Sequence, residues 1–206
     1  MAAFTIRQAR RDDPAARIAN LIWTVDIPVM AFQFGSFDTF LAGLAQDWAA
    51  NRGAEPPRRT LVAEAGGEIV GLTVLHSADS LERAFEEAGE TLRAIVPEAD
   101  WAAIEARFAA TGMLFEGVPE DAVYVLDLAV DAAWHGRGVG RALIAAATDR
   151  ARRDGARRLA LDVAATNPAL AFYQRIGLQI VGQVTLDIPV AEEDRLHYRL
   201  ELPLEA

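Results

Sequence analysis

Apolar residues change period repeatedly along the 206-residue chain. Phe4–Arg10 sets Phe4, Ile6 and Gln8 against Thr5 and Arg7, and this alternation predicts a short opening strand. Asp12 or Asp13 ahead of Pro14 starts a helix, in which Ile18, Leu21, Ile22 and Val25 recur at helical spacing. A second helix is predicted from Asp38 to about Asn51, with Phe40, Leu41, Leu44 and Trp48 on one face. Between them, 27–37 is apolar but broken by Pro28 and Gly35, and reads as a loop that is buried or faces a substrate.

Arg59–His76 is a hairpin: two alternating apolar runs meet at Gly66–Gly67. Ser77–Asp121 reads as two helices, about 79–95 and 97–110, parted at Pro97. Val123–Val130 is almost continuously apolar, the pattern of a strand buried on both faces, and Asp127 is its one acid. A glycine-rich run leads into a helix over Gly140–Asp154 with Leu143, Ile144, Ala147 and Ala151 inward, stopped by Gly155. Arg158–Ala164 is a strand, Thr166–Asn167–Pro168 opens a short helix ending at Gly177, and Leu178–Val184 and Leu196–Leu200 close the sheet. Strands interleaved with helices predict an α/β sandwich on a mixed sheet, built as one domain over 1–206.

Composition narrows the chemistry. There is no cysteine, so disulfides, thiolate zinc sites and a cysteine nucleophile are excluded. His76, His135 and His197 lack metal-ligand spacing, so no metal is expected. All 20 basic residues are arginine, which rules out a Walker-type phosphate loop. No apolar run reaches the length of a membrane span, about 18 residues or more, and the first residues lack a signal peptide's apolar core. The expectation is a cytoplasmic protein without a membrane partner. The net charge of −10 argues against nucleic acid, yet it is unevenly spread. Residues 77–122 carry 11 acids against 3 arginines, whereas 134–158 carry 7 arginines against 2 aspartates. A local basic stretch in an acidic protein suits a small phosphorylated ligand.

That stretch contains Trp134–His135–Gly136–Arg137–Gly138–Val139–Gly140–Arg141. A strand, a glycine turn and a helix start make an anion cradle, because unpaired amides point outward and glycines admit close approach. Dinucleotide spacing fails: the position three beyond the second glycine of G-x-G would be Arg141 or Leu143, where a small residue is needed. An ordinary strand-to-helix connection remains the plain alternative.

The run His135–Gly136–Arg137–Gly138–Val139–Gly140 resembles the cofactor motif Gln/Arg-x-x-Gly-x-Gly/Ala of the GCN5-related N-acetyltransferase (GNAT) superfamily, with His135 in the place of Gln or Arg. Leu128 and Val130 match the strand end before it, and Arg141–Ala142–Leu143 the helix opening after it. Downstream, Asn167, Tyr173 and Gly177 fall in register with the family's second motif. The likeness covers about 1–76 and 123–200. It implies a mixed, mostly antiparallel sheet flanked by helices, with a two-helix insertion at about 77–122. It also implies an acetyltransferase using acetyl-CoA.

The resemblance assigns roles residue by residue. The turn His135, Gly136, Arg137, Gly138, Val139, Gly140 and Arg141 would hold the pyrophosphate, and the backbone of Leu128 and Val130 would pair with the pantetheine arm. Asn167 would contact that arm or cap its own helix. Tyr173 would protonate the leaving thiolate and adjoin the cofactor, and a backbone amide near Leu128 would polarise the thioester carbonyl. Asp127 is the candidate base, because a carboxylate in a buried strand is costly without a use or a partner; a structural ion pair is its alternative. His76 and Glu64 are reserves. The lack of cysteine favours direct attack by a primary amine in a ternary complex. A cationic small molecule or peptide would suit an acidic 77–122 lying over the acceptor end. Otherwise that segment is a solvated helix pair, capping the sheet or forming a homodimer seam. A non-catalytic acyl-CoA sensor is the second functional class.

Overall fold

The structure is a computed structural model and describes residues 3–204. A short strand, β1 (Thr5–Gln8), leads into α1 (Ala15–Trp23), which follows Pro14 and buries Ile18, Ala19, Leu21 and Ile22. The stretch expected to be a loop is instead a helix, α2 (Ile27–Phe34). The Asp26 carboxylate accepts from Val29 N–H, Pro28 sits in the first turn where its missing N–H costs nothing, and Gly35 ends the helix at φ 75°. Pro28 and Gly35 are therefore its two ends rather than interruptions. Ser36 caps α3 (Phe37–Ala50) through Thr39 N–H, and Asn51 closes it in the left-handed region.

Next come the hairpin strands β2 (Thr60–Ala65) and β3 (Glu68–Ser77), joined at Gly66 and Gly67 with φ of 59° and 84°. Two helices follow, α4 (Ala78–Ile95) and α5 (Glu98–Thr111), the first opened by a reciprocal Ser77–Ser80 capping box. The remainder is β4 (Ala122–Val130), α6 (Val139–Arg153), β5 (Arg158–Ala164), α7 (Ala169–Arg175), β6 (Gln179–Thr185) and β7 (Leu196–Pro203). The seven strands form one sheet, ordered β1-β2-β3-β4-β5-β7-β6, antiparallel everywhere except between β4 and β5.

Helices cover both faces of this sheet. Leu72, Val74 and Ala129 pack with α1 and α3 around the fully buried Trp48, and α6 lays Val139 and Leu143 against Ala63 and Val70 on the other side. Gly71 makes this fit possible, since a Cβ there would stand 2.9 Å from the Ala129 carbonyl and 3.2 Å from Val139. The link between β6 and β7 buries Leu186 and Ile188 against Val29 of α2 and Leu114 after α5. Among the described residues, no single helix is long and apolar enough to cross a membrane.

Two irregularities shape the centre of the sheet. The β3–β4 register jumps from Val74↔Asp127 to Leu75↔Val125, so Leu126 is an extra residue bulged from the ladder. β4 and β5 pair only at Ala122↔Arg158, Val123↔Leu159 and Tyr124↔Ala160. Beyond Tyr124 the two strands part and leave a V-shaped gap.

Candidate active site

The gap exposes one side of β4 in a predictable alternation. Asp131 N–H donates to Val70 O at 2.9 Å, which fixes Asp127 and Ala129 as the residues whose backbone groups face β3. Leu128 and Val130 then turn their N–H and C=O groups to the opposite side, where β5 has departed. His135 Nε2 lies 2.9 Å from Val130 O, so this histidine ties the turn back to the strand end instead of reaching outward.

The turn itself fits an anion. Gly136 and Gly138 have φ of 72° and 86°, and a Cβ at either would meet nothing within 4 Å. Gly138 caps α6 without any side-chain acceptor, and the amides of Gly138, Val139, Gly140 and Arg141 have no backbone partner among the described residues. Arg137 lies over the Trp134 ring at 5.2 Å and Arg141 is exposed on the first turn. Free amides, Cβ-free approach and two arginines match what a pyrophosphate requires.

From this turn one continuous cavity of about 1370 Å³ runs through the gap toward α2–α5. It is larger than a usual single-ligand pocket, about 300–1,000 Å³, and has room for two substrates. Asp127 and Tyr173 both face it. Asp127 is 7% exposed, its Oδ2 has no hydrogen-bond partner, and burial pushes its carboxyl up to about 7. Burial, then the Asp127 charge, raise the Tyr173 phenol well above its ordinary value, so it stays protonated at neutral pH. Asn167 Oδ1 accepts from Ala169 N–H at 2.8 Å and its Nδ2 donates to Val25 O at 3.3 Å. Asn167 thus accepts from the first amide of α7 and clasps that turn to the α1–α2 junction, while Pro168 stands at the cap position.

The reserve bases do not join the site. Glu64 is held by Arg7 at 2.6 Å at the sheet edge. His76 is buried, burial lowers its ring to about 4, and Nε2 donates to Ala54 O at 2.7 Å. It acts as a neutral strut under the loop that delivers Glu55. The side chain of Glu55 lines the cavity, and burial together with Asp127 and Asp47 holds its carboxyl well above the usual carboxylate range. Nothing in the sequence marked Glu55, because it stands in an irregular stretch and meets Asp127 only through the fold. A second pair missed in the same way is Asp26–His197, at 2.9 Å, linking the start of α2 to β7.

Residues 23–178 match the Acetyltransferase (GNAT) family. The chain belongs to that family. GNAT acetyltransferases use acetyl-CoA and act on amine acceptors in general. Similar solved structures include an acetyltransferase (22% identity, TM-score 0.69, covering 98% of this chain and 100% of the other). An N-acetyltransferase from Staphylococcus aureus Mu50 is similar at 19% identity and TM-score 0.68, covering 96% of this chain and 100% of the other. A Salmonella typhimurium structure holding its cofactor acetyl-CoA has 20% identity and TM-score 0.57, covering 98% and 95%. At these identities the likeness speaks for the fold alone. No curated protein matches the sequence.

Proposed function

We propose that this GNAT protein transfers an acetyl group from acetyl-CoA to a primary amine by direct attack in a ternary complex. The observation that carries the reading is one cavity containing a free strand edge, an unpartnered buried carboxylate and a protonated phenol. The cofactor supplies the activated acyl thioester. The turn from His135 to Arg141 binds its pyrophosphate through backbone amides, assisted by Arg137 and Arg141. The backbone of Leu128 and Val130 aligns the pantetheine arm along the strand edge, and the Leu128 amide polarises the carbonyl.

Asp127 removes the proton of the incoming ammonium. A carboxylate raised to about 7 is a better base near neutral pH than an ordinary one. The amine nitrogen bonds to the acyl carbon, the carbon–sulfur bond breaks, Tyr173 delivers a proton to the leaving sulfur, and the second proton that the nitrogen sheds as the amide forms restores the phenol. With no cysteine in the chain, an acyl-cysteine intermediate has no residue to form on. Free thiol release from acetyl-CoA with a panel of amines tests the reading. Binding of CoA without thiol release on any amine would replace it with a non-catalytic acyl-CoA sensor.

A further inference from the structure

The acceptor end of the cavity is walled by the helices of the acidic segment, but of that segment's acids only Glu105, exposed at the rim, lines it. Asp79, Glu82, Glu86, Glu90, Glu98 and Asp100 are exposed on the outer surface. The inward wall is Phe85 and Leu92 of α4 and Phe108 of α5, opposite Phe34 of α2 and Phe40 of α3. Phe34 meets Phe108 edge-on at 5.1 Å and Phe40 at 4.9 Å, so the wall is a framework of rings. A buried Gln33–Thr111 hydrogen bond of 2.7 Å fixes α2 to α5 behind it.

The acids that do reach the cavity are mostly occupied. Asp26 is paired with His197, Asp131 with Arg17, and Asp162 with Arg199 and Tyr124. Asp47 accepts from Thr91 at 2.6 Å and stands 3.8 Å from Arg52, and Glu105 is exposed at the rim. Asp127, Glu55 and Glu105 have no cationic or hydroxyl partner among the described residues, and of these Glu105 is solvent-exposed while Asp127 is buried and Glu55 half-buried. Asp127 and Glu55 line the same cavity. Together they make one seat for one ammonium.

We infer that the acceptor is a primary monoamine carrying a ring-containing apolar body, its ammonium at Asp127 and Glu55 and its body among Phe34, Phe40, Phe85, Leu92 and Phe108. A polyamine or aminoglycoside would bring further ammonium groups against this apolar wall, where the remaining unpaired acid, Glu105, stands at the solvent-exposed rim. The acidic charge of 77–122 is then a solvated outer face, not the recognition surface.

This inference rests on the acetyl-transfer reading, so binding and turnover are measured separately on the full-length protein. The probes are 2-phenylethylamine, tryptamine, ethylamine, spermidine and kanamycin, with calorimetry for binding and thiol release for turnover. The aromatic monoamines should exceed spermidine and kanamycin at least about tenfold in kcat/KM, as expected when a ring is buried in an apolar pocket. Phe108→Ala should reduce the preference for 2-phenylethylamine over ethylamine about tenfold, mainly through KM. Phe108→Leu is the substitute if the alanine variant fails to fold. Turnover of spermidine or kanamycin ahead of the aromatic amines would overturn the inference and leave acetyl transfer standing. Phe108-dependent binding of 2-phenylethylamine without thiol release would overturn acetyl transfer and leave the chamber standing. Absence of both binding and turnover for the aromatic amines overturns the inference.

Discussion

Asp127→Asn keeps the size of a buried side chain and removes its charge, and its consequence for stability can be worked out. In an unfolded chain an aspartate titrates near 3.9, approximately, whereas burial in the fold pushes Asp127 up to about 7. Between these values the folded protein holds a proton that the unfolded chain has lost. Stability therefore falls as pH rises, by about 1.4 kcal/mol per pH unit, and levels off above about 7. The full span is about 4 kcal/mol, of which about 2 kcal/mol falls between about pH 5.5 and about pH 8.5. The stability advantage of Asp127→Asn over the parent should be larger at the alkaline value by that amount, or about 5 °C in Tm for a domain of this size. Thermal or urea melts of both proteins at both pH values measure it. Comparing the two differences cancels His76 and the other shared titrations, and relief of Glu55 from a like charge acts in the same direction. An advantage equal at the two pH values would refute the reasoning, because Asp127 would then titrate in the fold as it does in the unfolded chain.

Other outcomes follow from the same geometry. Tyr173→Phe should lower kcat by about 100-fold, the lower end of general acid catalysis, while CoA affinity by calorimetry stays within about twofold; full activity would remove Tyr173 from the acid role. The parent's kcat/KM should rise with pH through about 7 as Asp127 loses its proton, and Asp127→Asn should flatten that limb. His135→Ala removes the bond that ties the glycine turn to the end of β4 and should raise the KM for acetyl-CoA several-fold with little change in Tm, the bond being on an exposed loop. Gly71→Ala places a methyl 2.9 Å from the Ala129 carbonyl, so strand separation or a shift of α6 should cost about 1–3 kcal/mol in urea unfolding.

Local patterning determined most of the elements. Alternation located the hairpin, the apolar run located β4, and glycine punctuation located both ends of the α6 turn, because these features depend on neighbours in the chain. Gly136 and Gly138 were legible as a cradle, since a positive φ is a property of one residue and its type. Tyr173 and Asp127 stood out because a motif register and a lone acid in an apolar strand are visible in one dimension. Helix α2 was misread for the opposite reason. Pro28 and Gly35 carry the same letters whether they break a segment or begin and end it, and the Asp26 cap that decides the matter lies before the apolar run.

Only the tertiary structure decided what surrounds these residues. The bulge at Leu126 and the parting of β4 from β5 arise from pairing between distant strands, so no single segment encodes them. Glu55 shares a cavity with Asp127 by way of a loop held by His76, and the rings that wall that cavity come from four helices far apart in sequence. The acidity of 77–122 was plain in the sequence. Which side of its helices faced the cavity was not, because that depends on burying Leu81, Leu92 and Ile104 against partners the segment does not contain.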